Sequence, residues 1–249
     1  MNKRYATLIA ATLAMPLALI LIKDMAIAHA ANTAQERNVV NALKGTVKVE
    51  GALPHPARVT MTAEPSCMKL HPLGISAEDV VVDANNGLEN VVVYISDAVS
   101  DLEAPKNEVV FEQKGCMYHP HVLAMQANQT LKIINDDPTM HNIHPIPQAN
   151  REWNKSQPPG MQPLQETFPR EEVAIPIRCN VHPWMKGYIA VFKHPYFSVS
   201  GKNGSFDIKN VPPGTYTLQA WHEKFGTLTK KITVGAKATD EVELVFKAH

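Results

Sequence analysis

Short runs in which apolar and polar side chains alternate recur along most of the chain. Thr130-Leu131-Lys132-Ile133 and Glu241-Val242-Glu243-Leu244-Val245 have the two-residue period of a strand with one buried face. Runs of this kind, or runs dense in Val and Ile, predict strands at residues 45–49, 80–82, 91–95, 108–112, 122–125 and 130–134. Others follow at 173–178, 188–192, 205–208, 216–220, 231–234 and 241–246. Many short strands at close spacing predict an all-β chain built as sandwiches. Residues 148–169 break the pattern: Pro158, Pro159, Pro163 and Pro169 exclude a central strand there and predict a long loop. A second break falls at His194-Pro195. No internal repeat or low-complexity tract interrupts the chain.

The N-terminus follows a different rule. Lys3 and Arg4 precede an apolar run from Tyr5 to Ile22, and Ala28-His29-Ala30 places small residues where a signal peptidase reads. Residues 1–30 are therefore expected to be a signal peptide, with an uncleaved membrane anchor as the alternative. Both place the folded part outside the cytoplasm, in the periplasm. The 249 residues suffice for one large or two small domains. With 45% hydrophobic and only 19% charged residues the chain has no signature of disorder. The formal charge is zero, and no run or stripe of Lys and Arg suggests a nucleic-acid partner.

Three cysteines, Cys67, Cys116 and Cys179, are an odd number for an oxidising compartment. One disulfide and one thiol with a task is the expected division. The neighbours of Cys179 suggest that task. In Arg178-Cys179-Asn180-Val181-His182-Pro183-Trp184-Met185 a thiolate, an imidazole and a thioether stand at C-x2-H-x2-M, just past a predicted strand. Soft sulfur with imidazole suits copper, and two histidines and a cysteine with a weak axial methionine describe an electron-transfer copper site. Asp136-Asp137-Pro138-Thr139-Met140-His141-Asn142-Ile143-His144, after another predicted strand, supplies the second histidine. A lone thiol in an oxidising place is also better protected as a copper thiolate than left free.

On these residues the chain resembles the cupredoxins, amicyanin and plastocyanin in particular. Asn135-Asp136-Asp137 and His141-Asn142 stand in the first part of that family's pattern, and Cys179, His182 and Met185 in the second. The short step from His182 to Met185 is similar to the amicyanin loop, and His119-Pro120-His121-Val122 with residues 126–130 is similar to the family's opening strands. The resemblance covers residues 107–193. It implies a Greek-key sandwich holding one copper ion, with His141, Cys179 and His182 as equatorial ligands and Met185 as the axial one. It makes Asn142 the residue that fixes the thiolate-bearing loop. The apolar Pro183 and Trp184 beside His182 would form the exit face for electrons.

Other residues compete for these roles. His144 could replace His141. His119 and His121 form an H-x-H pair like those of copper oxidases, but a single pair builds no multinuclear centre, and strand residues of alternating exposure are the plainer expectation. With Cys179 assigned, Cys67 and Cys116 are left as the natural disulfide, stapling the N-terminal segment to the copper domain. The lesser alternative is a second metal site from Cys67, His71, Cys116, Met117 and His119.

Towards the C-terminus, Ser205-Phe206-Asp207-Ile208 and Tyr216-Thr217-Leu218 flank Val211-Pro212-Pro213-Gly214. Strand, Pro-Pro-Gly turn and strand resemble the carboxypeptidase-regulatory-like, or transthyretin-like, β-sandwich modules. This second, smaller sandwich is expected at residues 194–249. Residues 43–100 look like first strands of the same module type, so they either complete the C-terminal sandwich around an inserted copper domain or form a domain in tandem. Such modules also accompany polysaccharide lyase domains, which makes Trp221-His222-Glu223 candidate sugar contacts.

The function these features predict is a periplasmic type 1 copper protein that carries single electrons to a periplasmic redox partner, without enzymatic activity. The alternatives are a copper carrier or storage protein, and a carbohydrate-binding or envelope scaffold module.

Overall fold

The computed structural model describes residues 42–62, 64–99, 102–235 and 240–248, so the expected signal peptide at residues 1–30 lies outside the described residues. The described chain is nearly all β, as its alternating pattern requires. Sixteen strands are accompanied by one short helix. In chain order they are β1 (Ala42–Glu50), α1 (Pro65–Leu70), β2 (Val92–Ile95), β3 (Val109–Lys114), β4 (Met117–His119), β5 (Val122–Gln126), β6 (Leu131–Asn135) and β7 (His141–Pro145). They continue with β8 (Lys155–Gln157), β9 (Leu164–Glu166), β10 (Glu172–Arg178), β11 (Lys186–Phe192), β12 (Phe197–Val199), β13 (Ser205–Lys209), β14 (Gly214–His222), β15 (Gly226–Val234) and β16 (Asp240–Lys247).

These strands make four sheets in two pairs. The first pair is β4-β3-β6-β9 and β5-β11-β10-β7-β8. Phe111, Tyr118, Ile133, Ile143, Ile175, Ile177 and Ile189 interdigitate between them. The second pair is β13-β1-β16 and β12-β2-β14-β15, closed over Leu43, Val47, Leu88, Val93, Leu218, Ile208 and Phe246. Strand β1 lies between β13, antiparallel, and β16, parallel. The N-terminal strands and the C-terminal strands thus share one sandwich, and residues 109–192 form the other between them.

The two sandwiches meet along an apolar seam. Val122, Ala190 and Phe192 from one pack on Val92 from the other, with Tyr94, Phe197 and Trp221 around them. This explains why β2 reads as an unbroken apolar run. Val92 faces the seam and Val93 faces its own core, so both faces of the strand are buried.

Several details depart from the sequence reading. Residues 148–169 are not a plain loop: β8 and β9 lie in them, each at the edge of its sheet, where flanking prolines cost no ladder hydrogen bond. Residues 80–82 make only an isolated bridge, Val82 to Leu88, in place of a strand. Pro176 lies in a strand interior to its sheet, directly after a register shift between Glu172 and Ile175 where Ala174 takes φ 65°. The bulge accommodates the missing N–H. Gly187 lets β11 run close beside residue 121, because a Cβ there would lie 2.9 Å from the His121 carbonyl oxygen and 3.2 Å from the Phe111 ring.

Candidate metal centre

Strands β6 and β7 are joined by a tight turn that Asn135 builds. Its Oδ1 accepts the Asp137 N–H at 3.0 Å, and its Nδ2 donates to the carbonyls of Thr139 at 2.9 Å and Gln157 at 2.7 Å. The turn aims Asp137 inward, where its carboxylate accepts the N–H groups of Gly115 at 2.6 Å and Cys116 at 2.7 Å. His141, the first residue of β7, then places Nε2 2.9 Å from Asp137 Oδ2. With that nitrogen carrying a proton for the carboxylate, Nδ1 is directed to the opposite side.

What lies on that side comes from the loop after β10. His141 Nδ1 stands 2.8 Å from His182 Nδ1, and Cys179 Sγ stands 3.7 Å from the same His182 nitrogen. The ligand atoms of His141, Cys179 and His182 all lie within 4.8 Å of one another, and all three residues are buried. The loop is held in a tight arch: the Met185 N–H donates to the His182 carbonyl at 2.9 Å, and the Cys179 N–H donates to the Met185 carbonyl at 3.2 Å. Met185 is fully buried in the same core. Asn142 braces the arch from β7. Its Oδ1 accepts the Asn180 N–H at 2.7 Å and lies 3.4 Å from Cys179 Sγ, while its Nδ2 donates to Asn154 at 2.7 Å.

The electrostatics of this group follow from its burial and its neighbours. Desolvation works against charge on Asp137, but its bonds to His141 and to the Cys116 and Gly115 N–H groups hold its carboxyl below the ordinary range. Burial likewise opposes charge on His141, and the Asp137 carboxylate and Cys179 outweigh it, so the imidazole pKa is raised. Cys179 is lowered despite desolvation, because His141 and the N–H groups of the arch favour the thiolate. His182 is lowered by burial and by the charge of His141, which favours its neutral form. A thiolate and a neutral imidazole are what a soft cation binds. The donor set fits copper once His141 gives up its Nδ1 proton: two ring nitrogens and a sulfur then converge on one place.

His141, Cys179 and His182 are therefore brought together, with Met185 in the same loop and core, but the surroundings differ from expectation. His182 is only 1% exposed. Its Nε2 has no hydrogen-bond partner among the described residues and faces Glu64 Oε2 at 3.6 Å, from the segment that starts α1. The electron exit face foreseen at His182 is thus covered at the imidazole, and exposed side chains beside it come from Val181 and Pro183. Trp184 packs its ring 5.1 Å from His182 and donates Nε1–H to the Cys116 carbonyl at 3.1 Å. Cys116 is bonded to Cys67 in a disulfide, which ties α1 and Glu64 to this wall.

The remaining candidates sort by geometry. The Cys67–Cys116 disulfide removes both sulfurs as thiolate ligands and with them the alternative site around Cys67, His71, Cys116, Met117 and His119. His71 instead meets the Gly115 carbonyl at 2.6 Å, and His119 is exposed beside the Lys114 carbonyl. His144 uses both ring nitrogens outside the site, with Asn180 at 3.0 Å and Glu152 at 2.7 Å. His119 and His121 are not a strand pair of alternating exposure. His121 is buried and bonded to Glu223. The candidate sugar contacts are turned inward as well: His222 packs on Phe225 at 4.9 Å, Trp221 lies against Tyr188 at 5.1 Å, and Glu223 is buried.

Two residues of this centre were missed in the sequence. Asp137 lies four residues before His141, which is a usable sign. Glu64 carried no local sign.

A family model described as polysaccharide lyase family 4, domain II, matches residues 184–242, in place of the carboxypeptidase-regulatory-like type expected there. No curated protein matches the chain. Among solved structures, a copper-containing nitrite reductase from Thermus scotoductus is similar over 41% of this chain at 21% identity and a TM-score of 0.33. This chain spans only 25% of that reductase. A purple cupredoxin from Nitrosopumilus maritimus is similar at 22% identity over 33% of this chain and 97% of its own, with a TM-score of 0.29. An amicyanin variant in its Cu(I) form is similar at 19% identity over 40% of this chain and 97% of its own, with a TM-score of 0.30.

Proposed function

We propose that this chain is an exported type 1 copper protein that passes single electrons between periplasmic redox partners. The observation that carries the reading is the convergence of His141 Nδ1, His182 Nδ1 and Cys179 Sγ within 4.8 Å in a buried pocket. His141, Cys179, His182 and Met185 would hold the ion. Bound copper supplies a one-electron couple between Cu(I) and Cu(II).

The protein's own part is to fix the donors beforehand. Asp137 orients His141, Asn142 pins the Cys179 loop, and the arch of backbone hydrogen bonds locks Met185 to both. Donors held by a sheet and a braced loop move little when the charge changes, which favours rapid transfer. The cover formed by Glu64 and Trp184 keeps water from the His182 edge. That closure also speaks for keeping the ion over handing it on, as a carrier or storage protein must.

The test is optical. Cu(II)-loaded mature protein is expected to show an intense visible sulfur-to-copper charge-transfer band, and Cys179→Ser is expected to abolish it. A colourless copper complex, or a band indifferent to His141→Ala, would overturn the ligand set. Copper that a chelator strips rapidly would favour the carrier reading.

A further inference from the structure

His121 lies on the other side of β11 from the copper ligands, where the two sandwiches meet, and is 4% exposed. Its Nε2 is 2.5 Å from Glu223 Oε1. That contact occupies Nε2 and leaves Nδ1 facing the other way. Nδ1 has no hydrogen-bond partner among the described residues. It is aimed at Glu78 Oε2, 3.7 Å away, which is itself buried without a hydrogen bond.

A ring nitrogen and a carboxylate oxygen, both buried and neither hydrogen-bonded among the described residues, thus face each other across a gap that a cation would bridge. The gap is too long for a direct hydrogen bond. It is the right size for a cation, since metal bonds from imidazole nitrogen and carboxylate oxygen are each about 2.0–2.2 Å. Two such bonds span the gap at an angle somewhat wider than tetrahedral.

The surrounding charges leave room for that cation. Lys186 lies 2.5 Å from Asp79 and 3.2 Å from Glu223, and Lys224 lies 2.9 Å from Asp79. These lysines neutralise Asp79 and Glu223 but do not reach Glu78. The Glu78 side chain is one-third exposed, which gives an ion a way in.

We propose that His121 and Glu78 bind a second cation, a divalent transition ion of zinc type, at the seam between the two sandwiches. Glu223 is its positioning residue, holding the imidazole by the far nitrogen as Asp137 holds His141. One nitrogen and one carboxylate oxygen select a borderline ion over copper(I), and solvent completes the coordination.

The test uses full-length mature protein carrying His141→Ala and Cys179→Ser, so that the first cluster cannot bind and its own fate is judged separately. Dialysed against zinc chloride and then analysed for metal, this protein is expected to retain about one zinc per chain, with affinity falling at least about tenfold on adding Glu78→Gln. His121→Gln should do the same. If His121→Gln fails to fold, the Glu78→Gln arm decides, because that side chain is partly exposed and makes no hydrogen bond at its buried oxygen. Absence of zinc from the parent, or zinc retained equally by Glu78→Gln, would overturn the site.

Discussion

His141 and His121 are buried imidazoles built to one plan and set in different company. Each gives its Nε2 proton to a buried carboxylate, Asp137 or Glu223, and each turns Nδ1 away from it. The difference lies in what Nδ1 meets. For His141 it is a second imidazole and a thiolate, and for His121 it is a carboxylate oxygen. The backing carboxylate therefore sets orientation and tautomer, while the opposing donors set which ion the place accepts. A third histidine shows what happens without backing. His222 is equally buried but bonds only the Lys224 N–H, and its pKa is lowered to about 4 by burial above all.

The comparison can be broken most forcefully at the backing carboxylates. Asp137→Ala is expected to destabilise the protein by about 3–5 kcal/mol, because it strips two backbone N–H groups and a buried imidazole of their partner. It should also weaken or abolish the visible copper band. Glu223→Ala, which removes a partner of Lys186, Tyr188 and His121, is expected to cost a similar amount while leaving that band in place. Denaturant unfolding combined with the absorption spectrum separates the two. Equal loss of the band in both would mean that the histidines do not act independently.

The next effect concerns His222 and pH. Below about pH 6.5 the unfolded chain takes up a proton at this residue that the folded chain refuses until about pH 4. Stability should therefore fall as pH drops through that window, by roughly 3 kcal/mol for this group. His222→Phe should flatten that part of the curve, which urea unfolding at a series of pH values would show.

Smaller again is the brace. Asn142→Ala removes an acceptor from the Asn180 N–H and a donor to Asn154, and is expected to cost about 1–2 kcal/mol and to shift the copper band without erasing it. The smallest change is expected from Glu64→Gln. The unfolding midpoint should stay where it is, and only the rate at which a chelator removes copper should rise slightly, as read by loss of the visible band.

The sequence made one of the two histidines legible and hid the other. His141, Cys179, His182 and Met185 could be found because their residue types are rare, soft and regularly spaced, and because the alternation of apolar residues placed them at strand ends. Strand positions were similarly readable wherever one face is solvated, as in β6 and β16. His121 could not be found in this way. Its carboxylates, Glu78 and Glu223, come from distant parts of the chain, and only the packing of the two sandwiches joins them. The pairing of β1 was left open for the same reason, since no local pattern says which strand edge a ladder will take. Strands β4, β8, β9 and β12, three residues each, are too short to show a period, and they owe their existence to the sheets they border.

The placement of β1 between β13 and β16 has a consequence for how the protein is made. Thr46 lies opposite Glu243, so this ladder spans nearly the whole sequence, whereas residues 109–192 find their sheet partners among themselves. During synthesis the inner sandwich can assemble while the C-terminal strands are still being made. The outer one stays unsealed until the final strand emerges, and during that interval an open edge is exposed to neighbouring chains.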